Sequence, residues 1–402
     1  MARSLGERAN QLMVDRLIAQ GALWSPALIA AFRQTPRHRF LDRVYVYHAK
    51  GECWRKMATR RRGAQQLRLV YSDRALITRL SSPSDRMPCV PISSSSQPSL
   101  MAQMLEDLRP APGQRVLEVG AGTGYNAALL AHVVAPGQVW SIDVDREILI
   151  DAASHLRAFP ERPIVLRHAD GRAGFADAAP FNRIMVTAAT PDIEPAWLEQ
   201  LSPDGLLLAP LALAPSLAYI VCGGVKGGVF EGRLTRAAYF MPLRCEGEPG
   251  ETAGDGAPPR GALQTIRSPW SYWFKRGRGR TSWLGFVQAL AFFGWLRGLN
   301  VAYRTTPDRQ SMFGLSEPVR GHGCWFGPQC WQVTGEAGRD VASALWRAFL
   351  DAGAPWPTEF CLRAAPRGPF PPEAGRIAFR RRGPRCHQLW ELIEPRDRRI
   401  VL

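Results

Sequence analysis

Hydrophobic positions along this chain change period several times, and each change marks an element. Leu12, Met13, Leu17 and Ile18 recur at helical spacing and predict an amphipathic helix over residues 4–20. A second short helix is expected over 26–33, with Ser25 as its N-cap and Pro26 at the first helical position. Pro36-Arg37-His38-Arg39-Phe40 follows as a turn. Residues 45–92 are basic and serine-rich with no clear period, which predicts an irregular, partly exposed excursion. The polar run 93–97 then precedes a helix over 98–108 that opens with proline.

From residue 115 the pattern alternates between short apolar runs and helical stretches. Strands are expected over 115–119, 138–142 (ending in Asp143), 164–167 (closing at Ala169-Asp170-Gly171), 183–186 and 206–210. Helices are expected between them over 126–133, 146–158 and 195–201. Such alternation predicts an α/β fold with a largely parallel, doubly wound sheet covered on both faces. Two further segments, 217–221 and 236–241, read as hairpin-type edge strands. Four glycines, three prolines and four acids between 246 and 260 mark a linker. Beyond it come an apolar helix over 283–296, an amphipathic one over 341–351 and a strand-like tail over 388–393. The organisation expected is therefore N-terminal helices and a basic insertion (1–92), a ligand-binding α/β domain (93–245), a linker (246–262) and a smaller α+β domain of open role (263–402).

Composition narrows the class. With 46% hydrophobic and 21% charged residues over 402 positions, the chain can bury an ample core, and two domains are the ordinary expectation. No N-terminal stretch reads as a signal peptide, and the longest apolar run, 283–296, is too short to span a bilayer. Eight cysteines in a chain of this length suggest thiols in a reducing, cytoplasmic compartment. His322, Cys324 and Cys330 lack the paired spacing of a zinc site, so no metal is expected. The net charge of +16 is concentrated in the basic runs 55–62, 275–280 and 380–385, which favour acidic partners through non-specific attraction. No nucleic-acid module accompanies them, and solvated arginine-rich loops explain the runs equally well.

The chemistry concentrates in Glu118-Val119-Gly120-Ala121-Gly122-Thr123-Gly124-Tyr125. An apolar strand ending in an acid and then Gly-x-Gly-x-Gly is a strand, a tight turn and a helix, with glycines that let a ligand approach the backbone. Dinucleotide sites read Gly-x-Gly-x-x-Gly around a pyrophosphate. Here Glu118 would repel phosphate but attract the amino group of an aminoacyl sulfonium, which favours S-adenosylmethionine over NAD. Asp143, 19 residues after Gly124, is placed to accept hydrogen bonds from ribose hydroxyls, and Asp170 with Gly171 to reach an adenine amino group.

On these residues the segment from about 10 to 245 resembles the protein-L-isoaspartate O-methyltransferase family. The family's Pro-Arg-His-x-Phe turn matches Pro36 to Phe40, and its Thr-Ile-Ser-x-Pro element matches Ser94-Ser95-Ser96-Gln97-Pro98. Its glycine motif matches Glu118 to Tyr125, and its Gly-Asp-Gly matches Ala169-Asp170-Gly171. Its Ala-Pro-Tyr-Asp-x-Ile and Gln-Leu-x-x-x-Gly segments match residues 179–184 and 200–205. The resemblance implies a Rossmann-like class I methyltransferase fold and S-adenosylmethionine as cofactor. It implies cofactor contacts from Glu118, Gly120, Gly122, Gly124, Tyr125, Asp143, Asp170 and Gly171. It also makes Ser96 the hydroxyl that holds the accepting carboxylate, with Ser94 where the family has threonine.

The chain departs from that pattern in its four-serine run, its long 45–92 connection and its C-terminal extension. The serine run (Ile92 to Pro98) and the C-terminal extension are similar to a long-form branch that esterifies Asp side chains of ribosomally made peptides. Both branches methylate a carboxylate, so the expected partner is a protein or peptide bearing an isoaspartyl or aspartyl group. Two further readings are a non-catalytic, nucleic-acid-binding protein on the same scaffold and a nucleic-acid methyltransferase. The three strand-end acids oppose the first. The second lacks an Asn/Asp-Pro-Pro-Tyr motif where this chain has Val186-Thr187-Ala188-Ala189.

Overall fold

The computed structural model describes residues 4–48, 53–59, 63–81, 89–245, 258–267, 283–305, 311–327 and 330–393. Residues 246–257 of the expected linker, 60–62 of the first basic run and the run 275–280 lie outside the described residues. The chain forms two compact units. The first comprises Met1–Ala188, Ala196–Ala209 and Phe240–Gly250; the second comprises Ala189–Pro195, Pro210–Tyr239 and Glu251–Leu402. The boundary therefore does not fall only at the expected linker, because residues 189–195 and 210–239 group with the C-terminal region. Among the described residues no helix is long and apolar enough to cross a membrane.

In the first unit, helices α1 (Leu5–Ala19) and α2 (Pro26–Gln34) lead the chain. Ser4 and Glu7 close a capping box on α1, each accepting from the other's backbone amide. Arg37–Phe40 is a turn of 3-10 helix. The following region corrects the expectation of an irregular excursion. It folds into strands β1 (Arg43–His48), β2 (Cys53–Ala58), β3 (Leu76–Leu80) and β4 (Pro91–Ser95), with helix α3 (Ala64–Val70) between β2 and β3. These strands form one antiparallel sheet in the order β2-β1-β3-β4. Exposure on both faces of β1 and β2 erases the two-residue polarity alternation that would have revealed them.

The parallel sheet follows from the predicted alternation. Strands β5 (Arg115–Val119), β6 (Gln138–Asp143), β7 (Ile164–His168), β8 (Phe181–Val186) and β9 (Leu201–Ala214) alternate with helices α5 (Tyr125–Val134), α6 (Arg146–Leu156) and α7 (Pro195–Gln200). Helix α4 (Pro98–Leu108) precedes β5. The order is β9-β8-β5-β6-β7, every neighbour parallel. Sequence order reverses between β5 and β8, so the strands' carboxyl ends open a crevice there.

The second unit is largely antiparallel. Strands β10 (Leu217–Lys226) and β11 (Val229–Ala237) form a hairpin whose second strand lies earlier than the expected 236–241, and β11 is not an edge: it pairs with Phe360–Ala365, which pairs with His387–Leu392. A separate five-stranded sheet contains Leu263–Arg267, Asn300–Thr305, Ser311–Ser316, Gly323–Phe326 and Cys330–Thr334. The apolar helix forms over Trp283–Leu296, and the amphipathic helix begins earlier than expected, covering Gly335–Asp351. Phe292 stacks edge-on against Tyr219, Phe360 and Trp390, which makes the apolar helix core.

Candidate active site

The turn after β5 is built as its glycines demand. Gly120, Gly122 and Gly124 have φ of +100°, +52° and +79°, a region costly for residues with a Cβ. Space is tight as well: a Cβ on Gly120 would lie 2.4 Å from the Thr187 hydroxyl. That hydroxyl, at the end of β8, donates to the Val119 and Gly120 carbonyls at 3.0 and 2.9 Å, and the Thr187 amide donates to Val119 at 2.9 Å. Thr187 thus ties the two strands at the point where their order reverses. From the other side, His155 on α6 lies with Nδ1 3.0 Å from the Thr123 carbonyl.

Glu118 lies beneath the turn with no exposed surface. Asn126 Nδ2 donates to its Oε1 at 2.7 Å, and the Ser141 hydroxyl donates to its Oε2. Burial raises its carboxyl to about 7; the charge of Asp143 adds to this, and the Ser141 and Asn126 hydrogen bonds oppose it. Both oxygens face the fold and lock α5 and β6 to β5.

Asp143 ends β6 half-buried, as expected for a group facing a ligand. Its carboxylate accepts the Asp145 amide at 3.0 Å and the Gly122 amide at 3.5 Å. Burial raises its pKa against those two hydrogen bonds. Asp170, two residues beyond β7, caps a short 3-10 turn, accepting the Arg172 amide at 2.9 Å and pairing with the Arg172 guanidinium at 3.2 Å. Gly171 is required by close packing: a Cβ would sit 2.5 Å from Val119 Cγ1. Its carbonyl accepts Trp197 Nε1 at 2.8 Å.

Tyr125 goes elsewhere. Its side chain is 1% exposed and packs on Phe40 and Phe32, with ring centroids 5.2 and 6.3 Å away. A side chain in the first turn of a helix projects back over the preceding turn, here toward the N-terminal helices.

The serine run is a strand and not only a loop. Alternation along β4 buries Ser93 and Ser95 and leaves Ser94, with Ser96 just beyond, half-exposed. Thr78 donates to the Ser93 hydroxyl at 3.2 Å, so the buried serines serve the sheet. The strand brings the run to the glycine turn: a Cβ on Gly122 would lie only 3.6 Å from the Ser94 carbonyl oxygen. Ser94, Gly122 and Asp143 are thereby assembled at the crevice from three separate segments. Among the described residues no group of three or more His, Cys, Asp or Glu side chains is arranged to hold a metal ion.

Sequence reasoning missed Asn126, Ser141, Thr187 and His155. Ser141 had a visible signal, a polar residue inside the apolar run Val139-Trp140-Ser141-Ile142. Thr187 and His155 had none, because their partners lie 67 and 32 residues away.

Residues 67–244 match the family model described as protein-L-isoaspartate(D-aspartate) O-methyltransferase. A protein-L-isoaspartate O-methyltransferase of Azoarcus sp. is 33% identical over 238 residues, 59% of this chain and 93% of that protein. This chain belongs to the protein-L-isoaspartate O-methyltransferase family. Relatives of the same name from Serratia proteamaculans (36% identical, 58% of this chain, 94% of that protein) and Pyrobaculum neutrophilum (32%, 58%, 97%) agree. A solved structure titled protein-L-isoaspartate O-methyltransferase shares the fold, with a TM-score of 0.50 and 22% identity. That likeness covers 88% of this chain and 96% of the other. Residues 1–244 are under two thirds of the chain, so the shared fold continues into the C-terminal region. For this methyltransferase family member, the doubly wound sheet and its glycine turn are the common scaffold.

Proposed function

We propose that this chain transfers a methyl group from S-adenosylmethionine to the carboxylate of L-isoaspartyl, and D-aspartyl, residues in damaged proteins. The ester formed closes to a succinimide, which reopens toward ordinary aspartate. When bound, S-adenosylmethionine supplies an electrophilic methyl group on a sulfonium centre. The glycine turn, with φ values and clearances that exclude a Cβ, fits such a ligand's close approach. Asp143 would hold the ribose hydroxyls, and Asp170 and Gly171 would lie toward the adenine.

The accepting carboxylate is ionised at neutral pH and is itself the nucleophile, so no general base is needed. An oxygen–carbon bond forms as the carbon–sulfur bond breaks, and the electron pair leaves with sulfur. What the protein must contribute is alignment and exclusion of water. The Ser96 hydroxyl can donate to one carboxylate oxygen while the other attacks; Ser94 borders the same opening. Glu118 and Thr187 act through the turn. We further propose that 93–245 carries the chemistry and 263–402 supports it. All eight cysteines are free thiols, which fits a cytoplasmic setting.

The observation that carries this reading is the approach of the serine strand to the glycine turn at the sheet's switch point. Incubation with methyl-labelled S-adenosylmethionine and matched Asp and isoAsp peptides tests it. Base-labile label on the isoAsp peptide alone is expected. Label on the Asp peptide alone would move the activity to peptide tailoring, and label on neither would overturn carboxyl methylation of such residues.

A further inference from the structure

Arg37 has no exposed surface, and among the described residues no salt bridge within 4.0 Å involves it, although the charge of Asp73 acts on it from farther away. Burial lowers its guanidinium to about 10, so it stays charged at neutral pH. Burying an unpaired cation costs several kcal/mol unless each of its donors is satisfied. Here every donor nitrogen is. Nη1 donates to the carbonyls of Val70 at 2.8 Å and Ser72 at 3.2 Å. Nη2 lies 3.2 Å from the Arg74 carbonyl, 3.1 Å from that of Ser95 and 2.9 Å from that of Ser96. Nε donates to the Ser95 hydroxyl at 3.3 Å.

The acceptors fall in two groups, the 70–74 turn after α3 and the 95–96 end of the serine strand. A planar five-donor fork can bridge two backbones at once, whereas an ammonium or an apolar side chain cannot. The bridged turn reaches back to the same strand. Asp73 accepts the Ser99 amide at 2.9 Å, the Ser99 hydroxyl at 2.8 Å and Gln97 Nε2 at 3.1 Å. Residues 95–99 are thus held from one side by Arg37 and from the next by Asp73.

We infer that Arg37 and Asp73 form a clamp that positions the Ser96 hydroxyl for the methyl-accepting carboxylate. The inference rests on the role proposed for Ser96 and adds the residues that fix its place. Neither clamp residue needs to touch substrate; both are positioning residues. The basic character of Arg37 is secondary to its shape, since its donors are spent on five main-chain carbonyls and one hydroxyl.

A double-mutant cycle separates the possibilities. Arg37→Lys keeps the charge but not the fork, and is expected to lower kcat on an isoAsp peptide by about tenfold or more. The Kd for S-adenosylmethionine, measured by calorimetry, should change less than about twofold, and KM only slightly. In a Ser96→Ala background the same substitution should lower kcat by less than about twofold, because the group it positions is gone. Equal fold-losses in both backgrounds would overturn the clamp while leaving Ser96 in place. Full kcat in Ser96→Ala alone would remove the Ser96 reading, and the clamp with it. If Arg37→Lys does not fold, Asp73→Asn takes its place in the cycle, with the same kcat-selective, non-additive loss expected. Loss of cofactor affinity in step with kcat in that variant would show a merely structural role.

Discussion

Glu118, one residue before the end of β5, and Asp143, the last residue of the neighbouring β6, do different work because their environments differ. Glu118 is sealed, and its folded-state carboxyl titrates at about 7 against an ordinary 4.5 because burial disfavours the charge. The folded protein then holds a proton that the unfolded chain releases between those values. Stability from this group is complete below about pH 4.5 and is lost as pH rises through about 7, on the order of 3 kcal/mol in all. Urea midpoints of the cofactor-free protein should therefore fall from pH 5 to pH 8 more steeply than those of Glu118→Gln. Parallel curves would show that Glu118 does not keep its proton. Asp143, half-buried at its strand end, is the group expected to face the cofactor. Asp143→Ala should weaken S-adenosylmethionine binding roughly tenfold to a hundredfold, the value of one or two hydrogen bonds to a charged acceptor. Unchanged affinity by calorimetry would move the ribose elsewhere.

At the scale of elements, strands made of continuous apolar runs were legible and polar or mixed ones were not. β5 and β6 announce themselves as apolar runs, and α4 was placed residue for residue by its proline start. β2 leaves Arg55 and Lys56 exposed, and much of what holds the ribbon is a cross-strand pair, Tyr47 on Trp54, with centroids 5.2 Å apart. No local pattern encodes such a pair. The loop after β8 shows the same dependence on distant partners. Asp192 is fully buried, and its carboxylate accepts the amides of Ile193, Arg385 and Cys386 and the Gln388 side chain at 2.8–2.9 Å. Asp192→Ala would leave those donors unpaired and should cost roughly 3 kcal/mol or more, read as a lower urea midpoint. A change below about 0.5 kcal/mol would mean that water replaces the carboxylate without loss.

For the molecule as a whole, the C-terminal region is not an appendage to the second unit. β11 depends on Phe360–Ala365 for one of its two edges, and Tyr219 depends on Phe292 for packing. A chain cut after residue 245 would lose these together with all but one of the donors to Asp192. It should aggregate or lose ordered tertiary signal in near-ultraviolet circular dichroism. A monodisperse, fully active fragment would show that 1–245 folds alone.

The sequence by itself determined the parallel sheet, the glycine turn and the acids at the strand ends. Those are local matters: a run of apolar residues, a conformation only glycine adopts cheaply, an acid at or near the end of a strand. Tertiary structure alone decided which polar groups face the crevice and which are sealed behind it. Glu118 and Tyr125 lie within the most informative motif of the chain, yet both turn inward; Ser94 and Ser96 stay partly open while Ser93 and Ser95 do not. Arg37 sits in an ordinary-looking turn and becomes a clamp because carbonyls 33 to 59 residues away converge on it. Burial and long-range hydrogen bonding depend on what the rest of the chain places beside a residue, and no window of sequence contains that information.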